Sequence, residues 1–169
     1  MRMLRTFCTY SLPILLWVLA GCNNSDDVEA IFTQKTWKLT LIAADGQSTW
    51  APLWNEESQR QSDLDALRNN LQSFTLRFTG LVQDRQISGN LEGQLHNRSF
   101  TGTWTAHATQ RNFSARLSDD SESGNLAQAF KRGLSKAYAY EGDDENLYIL
   151  YREEAGSTVT FRLFFKRIN

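Results

Sequence analysis

The chain has 169 residues, of which 41% are hydrophobic and 22% charged, with 18 basic and 19 acidic side chains. This balance of charge gives no support to a nucleic-acid-binding or polybasic membrane-surface protein, and the composition is that of an ordinary globular domain. The only cysteines, Cys8 and Cys22, are too few for a disulfide-rich scaffold.

The first 21 residues have the features of a secretory leader. Arg2 and Arg5 supply a basic end, and an apolar run interrupted by Pro13 follows over 12–20. The run is shorter than the roughly 20 apolar residues that a membrane-spanning helix needs. We therefore predict that residues 1–21 are removed as a signal peptide.

The residues at the predicted cleavage site are Leu-Ala-Gly-Cys, at 19–22. This block resembles the lipobox of bacterial lipoproteins. The resemblance implies a diacylglycerol thioether on Cys22, cleavage before it and acylation of the new amine, and several acyl chains anchor a protein more firmly than one. The alternative is a soluble secreted protein with a cysteine near its cleavage site. Since Cys8 leaves with the leader, the mature chain is expected to have no disulfide and no cysteine nucleophile.

The mature chain is predicted to consist of a tether and one domain. Residues 22–31 are polar and acidic at their start and are predicted to be a lipidated, flexible tether, while 32–169 has the length of a single domain. The segment 25–27, Ser-Asp-Asp, also resembles the acidic export signal of surface lipoproteins in Bacteroidetes. Without the two arginines of the leader, 16 basic residues face 19 acidic ones, a formal charge of −3.

Alternation of apolar and polar residues predicts a series of strands. In the first, 36–43, Trp37 and Leu41 belong to the apolar face and Lys38 to the solvent-facing side. Glycines recur on the inward face of later strands, which indicates bends or close approach of another element and hence a sheet that curls or closes. The further strands are predicted at 74–79, 87–95, 100–108, 113–117, 147–152 and 158–165.

Two helices are predicted from apolar stripes at helical spacing. The first, 62–71, has leucines that end in Leu71, with Ser62 as its N-cap. The second, 126–138, carries its stripe as far as Tyr138. The predicted fold class is therefore mainly β with two short helices, built as a small antiparallel β-barrel or a strongly curled sheet.

Several spaced apolar segments carry a family resemblance. They are Thr-Trp-Lys-Leu at 36–39, Ile-Ser-Gly-Asn at 87–90, Phe-Thr-Gly-Thr-Trp at 100–104, the helix positions Phe130, Leu134, Ala137 and Tyr138, Asn-Leu-Tyr-Ile-Leu-Tyr at 146–151, and Phe161. This pattern is similar to that of META-domain lipoproteins and of calycin-like lipoproteins of Bacteroidetes. The resemblance implies a secreted or envelope-anchored β domain, and it brings no catalytic residues to carry over.

Trp50 and Trp54 are the predicted ligand-contact residues. These indoles, four residues apart in a segment without clear periodicity, are suited to stacking on a sugar or filling a barrel mouth, because tryptophan combines apolar area with one donor. The alternative is that they only cover an open end of the barrel.

No catalytic residue, metal site or cofactor is predicted. His96 and His107 are the only histidines, whereas zinc normally needs three or four clustered ligands. The acidic groups at 119–122 and 143–145 offer oxygen ligands to calcium but do not match an EF-hand loop. The chain also lacks the phosphate-loop, dinucleotide-binding and Gly-x-Ser-x-Gly motifs.

From these observations we expect a non-catalytic lipoprotein, held by its lipid in the bacterial envelope at the outer membrane, on the periplasmic side or at the surface. Its barrel-like domain would serve binding or assembly with an unknown protein, glycan or small molecule. The alternatives are a calycin-type carrier, an inhibitor of a secreted enzyme and a hydrolase that uses loop carboxylates. An apolar cavity of about 300 Å³ or more would favour the carrier, and a filled interior with an exposed Trp50/Trp54 patch would favour a surface partner.

Overall fold

A computed structural model of the chain describes residues 28–118 and 124–169. The predicted leader, Cys22 and the acidic group at 119–122 lie outside these ranges. Among the described residues, no helix has the length and apolar character to cross a bilayer. In chain order the elements are α1 (Val28–Phe32), β1 (Thr36–Ala44), α2 (Glu57–Asn69), β2 (Thr75–Gln83), β3 (Gln86–Gln94), β4 (Ser99–His107), β5 (Phe113–Leu117), α3 (Asn125–Ser135), β6 (Ala137–Gly142), β7 (Asn146–Tyr151) and β8 (Phe161–Arg167).

The eight strands form one antiparallel sheet in the order β5-β4-β3-β2-β1-β8-β7-β6. The sheet curls until its edges approach each other, where Asn112 forms an isolated bridge with Ala139. Beside that bridge the amide of Tyr140 donates to the carbonyl oxygen of Arg111 at 2.9 Å. The edge strands are not otherwise paired, so the sheet is not closed into a barrel. The prediction of a mainly β fold is confirmed, and of its two options the sheet adopts the strongly curled one.

Glycines on the inward face allow the sheet to curl. A Cβ atom on Gly89 would collide with the carbonyl oxygen of Thr79, and one on Gly93 would collide with the ring of Phe100. Alanine at either position would therefore force the neighbouring groups apart. Trp104 is the cross-strand partner of Gly89 and donates its indole N–H to the Thr79 carbonyl oxygen at 3.1 Å. The close approach predicted at these glycines is confirmed.

Antiparallel pairing places the connections between strands at two ends of the sheet. The plug end carries the start of β1 and the connections at 84–85, 108–112 and 143–145. The cap end carries the remaining connections, which include α2 and α3. These two names are used below.

At the plug end, α1 fills the interior with aromatic packing. Phe32 is fully buried, and its ring centroid lies 4.7–5.6 Å from the centroids of four other rings. Val28 and Ile31 are buried on the same side of the helix. The predicted tether therefore runs too far, because residues 28–31 belong to the folded domain rather than to a linker. The four rings around Phe32 are those of Phe78, Trp104, Phe113 and Tyr140.

At the cap end, α3 fills the interior and α2 packs beside it. Phe130 of α3 is fully buried and meets three aromatic rings at centroid distances of 5.9–6.1 Å. α2 contributes the buried side chains of Leu64 and Leu67. Both halves of the interior are thus occupied by side chains. The rings around Phe130 are those of Phe74, Phe100 and Phe165.

One predicted facing and one predicted exposure in β1 are wrong. The pairing of β1 with β8 shifts between Leu39 and Leu41, so this irregularity turns Leu41 partly outward and buries Ile42 instead. Lys38 does lie on the outer side of the strand, but it is only 6% exposed because the segment 70–73 covers it.

The predicted helix bounds also need correction. α2 begins at Glu57, so Ser62 lies inside the helix and is not its N-cap, and Leu71 lies beyond the helix with 66% of its surface exposed. α3 ends at Ser135, and the segment 137–142 is the strand β6. The sequence Ala-Tyr-Ala-Tyr that opens β6 alternates with period two, and pairing with β7 outweighs the continuation of the helical stripe.

Candidate functional site

A groove of about 460 Å³ crosses the outer face of β1–β4 and reaches the cap end. We call it the outer groove. Strand register aligns its floor in two rows of cross-strand neighbours, because side chains on alternate residues share a face. The first row is Thr36, Arg77, Glu92 and Thr101, and the second contains Thr75, Gln94 and Ser99.

The walls of the outer groove come from two other parts of the chain. The segment between α2 and β2 contributes Asn70 and Gln72, and Asn169 lies at the opposite side. The side-chain oxygen of Asn169 accepts the backbone N–H of Thr36 at 2.7 Å, which fixes this residue beside the first row.

Lys38 fixes the position of the wall segment that contains Asn70 and Gln72. Its Nζ atom donates to the carbonyl oxygen of Asn70 at 2.8 Å, to the hydroxyl oxygen of Ser73 at 3.1 Å and to the Ser73 carbonyl oxygen. A cation is favourable here because carbonyl groups at a helix C-terminus carry partial negative charge. Burial nevertheless disfavours the charged form and lowers the pKa of Lys38 to about 8.

The groove presents one cation, one anion and several neutral polar groups. Arg77 and Glu92 face each other across β2 and β3, both are exposed, and neither side chain forms a hydrogen bond or ion pair with another of the described residues. The remaining polar lining is amide and hydroxyl. Such a surface offers many donors and acceptors with almost no net charge.

The predicted pair Trp50 and Trp54 lies near the cap end, outside the outer groove. The two rings pack edge to face with their centroids 5.5 Å apart, and both residues are partly buried against the core. The indole N–H of Trp54 donates to Oδ2 of Asp63 at 2.7 Å, and the same oxygen accepts the backbone N–H of Leu126 at 3.2 Å. Trp54 and Asp63 thus tie the loop before α2 to the N-terminus of α3, and contact of the tryptophan pair with a ligand stays a prediction.

The structure does not bring the two histidines together. His96 lies in the β3–β4 turn at the cap end, and His107 is the last residue of β4 at the plug end. A nine-residue strand separates them, about 30 Å at 3.3 Å per residue. Throughout 28–118 and 124–169, no group of three or more metal-ligating side chains is found.

The acidic turn at 143–145 is occupied by contacts within the protein. Oδ1 of Asp143 accepts the backbone N–H groups of Glu145 and Asn146, both at 2.8 Å, and these bonds lower the pKa of Asp143. Asp144 lies 2.5 Å from Nζ of Lys35 and 2.9 Å from Arg167, and the Lys35 contact lowers its pKa. These carboxylates fix the start of β1 to the β6–β7 turn.

Sequence reasoning missed the outer groove although it predicted most of the strands that form it. The polar positions of β2, β3 and β4 were expected to face solvent, and they do so as a connected surface. The signal available in the sequence is the succession of two short hairpins, which sets three polar faces side by side. Asn169 is distant in sequence from these strands, and the wall segment 70–72 precedes β2 without an alternating pattern, so neither gives such a signal.

Comparisons with known proteins identify a family. Residues 23–167 match the profile described as Domain of unknown function (DUF4847). A crystal structure of a DUF4847 family protein from Bacteroides vulgatus ATCC 8482 is similar, with 21% sequence identity, a TM-score of 0.58 and coverage of 82% of this chain and 96% of that chain. At this identity the likeness shows the fold alone. No curated protein matches the sequence. The matched family is neither of the two that the sequence resembles.

Proposed function

We propose, for a chain that belongs to the DUF4847 family, that it is a non-catalytic envelope lipoprotein that binds a polar ligand in its outer groove. The observation that carries this proposal is the contrast between a filled apolar interior and an open polar groove on the outer face. The ligand class that fits is a molecule of low net charge with many hydroxyl or amide groups.

The filled interior argues against the carrier alternative. A carrier of calycin type needs an apolar cavity of several hundred Å³ to enclose its ligand. Here Phe32 occupies the plug half of the interior and Phe130 the cap half, each surrounded by other rings. A ligand could enter only by displacing one of these side chains, so binding on the outer surface is favoured.

The chemistry of the groove supports the class of ligand. Its volume of about 460 Å³ lies within the usual range of small-ligand sites. Arg77 and Glu92 can each form paired hydrogen bonds, and amides such as Gln94 can both donate and accept. Saccharides and peptide segments present hydrogen-bonding groups of this kind.

The groove also supports a non-catalytic role. Glycoside hydrolysis usually requires two carboxyl groups at a defined separation, and Glu92 is the only acidic side chain among the residues that line the groove. The lining likewise contains no histidine, no cysteine and no serine next to a base. Binding without covalent chemistry is what these side chains can perform.

The proposed anchor and the proposed site do not compete for space. The lipid would be carried by Cys22, and the described chain begins at Val28, the first residue of α1 at the plug end. The outer groove begins at Thr36 and Asn169, beside the start of β1, and extends from there toward the cap end, where Asn70 and Gln72 lie. A ligand approaching from the side away from the anchor can therefore reach the groove.

The test begins with the mature chain as a Cys22→Ser variant, screened on arrays of glycans and of cell-wall muropeptides. The two arms separate the possible sources of a polar ligand. The double variant Arg77→Ala/Glu92→Ala should lose at least about tenfold in affinity, since two charged hydrogen-bonding groups are removed. The matched control is Lys166→Ala/Glu154→Ala, which also removes one cation and one anion but lies outside the groove.

Two results would contradict the proposal. One is equal binding by both double variants at equal thermal stability, which would place the site elsewhere. The other is binding of an apolar fluorescent probe in preference to any polar ligand, which would restore the carrier alternative. Mass spectrometry of the native protein tests the anchor separately, because an unmodified Cys22 thiol would exclude lipidation.

A further inference from the structure

The β2–β3 hairpin carries an exposed apolar tip at the plug end. Leu81 and Val82 adjoin each other and are 83% and 46% exposed, and every residue over 81–86 is exposed. Asp84 and Arg85 form the turn with φ values of 52° and 66°, the left-handed conformation that fits a two-residue hairpin turn. Single exposed leucines are ordinary, but two adjoining apolar residues at the end of a rigid hairpin form a distinct surface.

The tip lies at the end of β2, past the start of β1. β1 pairs with β2 only over 36–38, and the bridge between Thr33 and Phe78 marks the level of the segment that follows α1. From Phe78 the strand continues for five residues to Gln83, a distance of about 17 Å at 3.3 Å per residue. Val82 belongs to the inward face and is 46% exposed, although its cross-strand partner Ile87 is fully buried, so the tip lies at the margin of the filled interior.

The proposed lipid would hold this same end of the domain near a bilayer. Cys22 precedes Val28 by six residues, so even a fully extended connection spans no more than about 21 Å. The part of β2 from Phe78 to Gln83 and the longest possible connection from Cys22 to Val28 are therefore similar in length. A domain held at this distance brings the hairpin within reach of the bilayer surface.

We propose that Leu81 and Val82 are a second membrane contact, inserted at the head-group boundary beside the lipid-bearing residue. This inference rests on the lipidation of Cys22 in the proposed function. Two apolar side chains are too few to recruit a soluble protein, but an anchored domain is already at the surface and its tip experiences a high effective concentration of lipid. Asp84 and Arg85 carry opposite charges, so the tip has no net charge that would require a particular lipid head group.

The exposed apolar residues of the cap end do not have this arrangement. Leu71 and Val159 are 66% and 50% exposed, but they lie on separate loops and at the end of the sheet far from Val28. The contact would thus orient the molecule, with the plug end on the bilayer and the cap end away from it. Leu71 provides a matched control because it is the same residue type with similar exposure.

The test uses the lipidated protein isolated from bacterial membranes as a Leu81→Cys variant. A thioether at Cys22 leaves the introduced thiol as the single reactive one, so it can be labelled with an environment-sensitive fluorophore. The protein is reconstituted into vesicles of phosphatidylethanolamine and phosphatidylglycerol that contain nitroxide lipids. We expect quenching of the label at position 81 to exceed severalfold that of a label introduced by Leu71→Cys. Adding Val82→Asp should reduce quenching at position 81, whereas Val159→Asp should leave it unchanged.

Equal quenching at positions 81 and 71 in protein that remains bound to the vesicles would overturn the inference and leave the anchor intact. Cross-linking of position 81 to a second copy, without quenching, would also overturn it and would identify the tip as a self-association surface. A second label on Cys22, with protein that does not sediment with vesicles, would show that the proposed lipidation itself has failed.

Discussion

Buried aromatic rings fill both ends of the curled sheet, but the helices that carry them are held in place differently. At the plug end, a helix of five residues places Phe32 among four aromatic rings. At the cap end, longer helices are fixed by polar contacts to their termini, from Lys38 to the end of α2 and from Asp63 to the start of α3. α1 is thus held by apolar area and ring geometry, whereas α2 and α3 add hydrogen bonds and charge at their termini to the packing around Phe130.

This difference shows what each helix requires from the rest of the fold. A helix as short as α1 is not stable alone, so it forms because its apolar side chains are buried. α2 and α3 have 13 and 11 residues and satisfy more of their own hydrogen bonds, so what they need is a fixed position. Loss of the buried ring of α1 should therefore lower the free energy of unfolding most, and loss of a polar contact at a helix terminus should have a smaller effect.

The largest effect is expected for Phe32→Ala. Removing a fully buried ring from an aromatic cluster leaves a cavity, and the cost is about 3–5 kcal/mol in the free energy of unfolding, measured by urea denaturation. The control is Phe164→Ala, since Phe164 is only half-buried and contacts Tyr148 at 5.3 Å on the outer face. Equal losses for both variants would mean that Phe32 of α1 contributes no more to stability than a half-buried ring on the outer face.

A smaller loss is expected for Asp63→Ala at the cap end. The variant removes the acceptor of both the Trp54 indole N–H and the Leu126 amide, and the loss of such a helix cap costs about 1–2 kcal/mol. Tryptophan fluorescence should change as the indole loses its partner. Asp65→Ala on the same helix is exposed and serves as the control. If the two aspartate variants had the same stability, the contact would not hold the cap end together.

The pH dependence of stability sharpens the comparison further. The pKa of Lys38 is lowered from 10.5 to about 8 in the folded protein, so between these values the unfolded chain binds more protons and stability rises with pH. Burial raises the pKa of Tyr151 to about 12, which makes stability fall as pH increases above 10. Each slope is at most about 1.4 kcal/mol per pH unit. In Lys38→Met, urea denaturation from pH 7 to 11 should show that stability falls above pH 10 without first rising. If stability still rose with pH in this variant, a group other than Lys38 would be responsible.

The smallest effect is expected for Asp144→Asn at the plug end. The carboxylate contacts Lys35 and Arg167, but its side chain is 66% exposed, and exposed ion pairs contribute little because water and salt screen them. The thermal midpoint at physiological salt should stay close to that of the wild type, with a smaller change than in Asp63→Ala. A loss as large as that of Phe32→Ala would show that charge, rather than ring packing, holds the plug end.

The sequence predicts most strands of this fold, for a reason that the structure makes clear. β2 to β5 are joined by short hairpins and alternate between an inward and an outward face, so the pattern within each strand carries its own signal. α1 gives no such signal because five residues are too few for periodicity, and β6 is hidden because its alternation continues a helical stripe. The bulge after Leu39 depends on pairing with β8, which no local pattern reveals.

The candidate site was less predictable than the fold. Its floor consists of ordinary outward-facing polar positions, and only the register between strands sets Arg77 opposite Glu92. Lys38 was expected to face solvent, and it is buried because a segment more than 30 residues later folds over it. Trp50 and Trp54 were easier to predict as a binding site than the groove because of their residue type. The indole N–H of Trp54, however, donates to Asp63 within the fold.

The order of strands has a consequence for how the chain reaches its native state. β1 and β8, the first and last strands in sequence, pair with each other in the middle of the sheet and join the β2–β5 meander to the β6–β7 hairpin. Contacts between such distant segments make folding slow, and the two parts remain unjoined until residues 161–167 are available. A chain interrupted before its final strand would leave β1 and β7 with unpaired edges, so early termination is expected to favour aggregation far more than the loss of the short segment 161–169 implies.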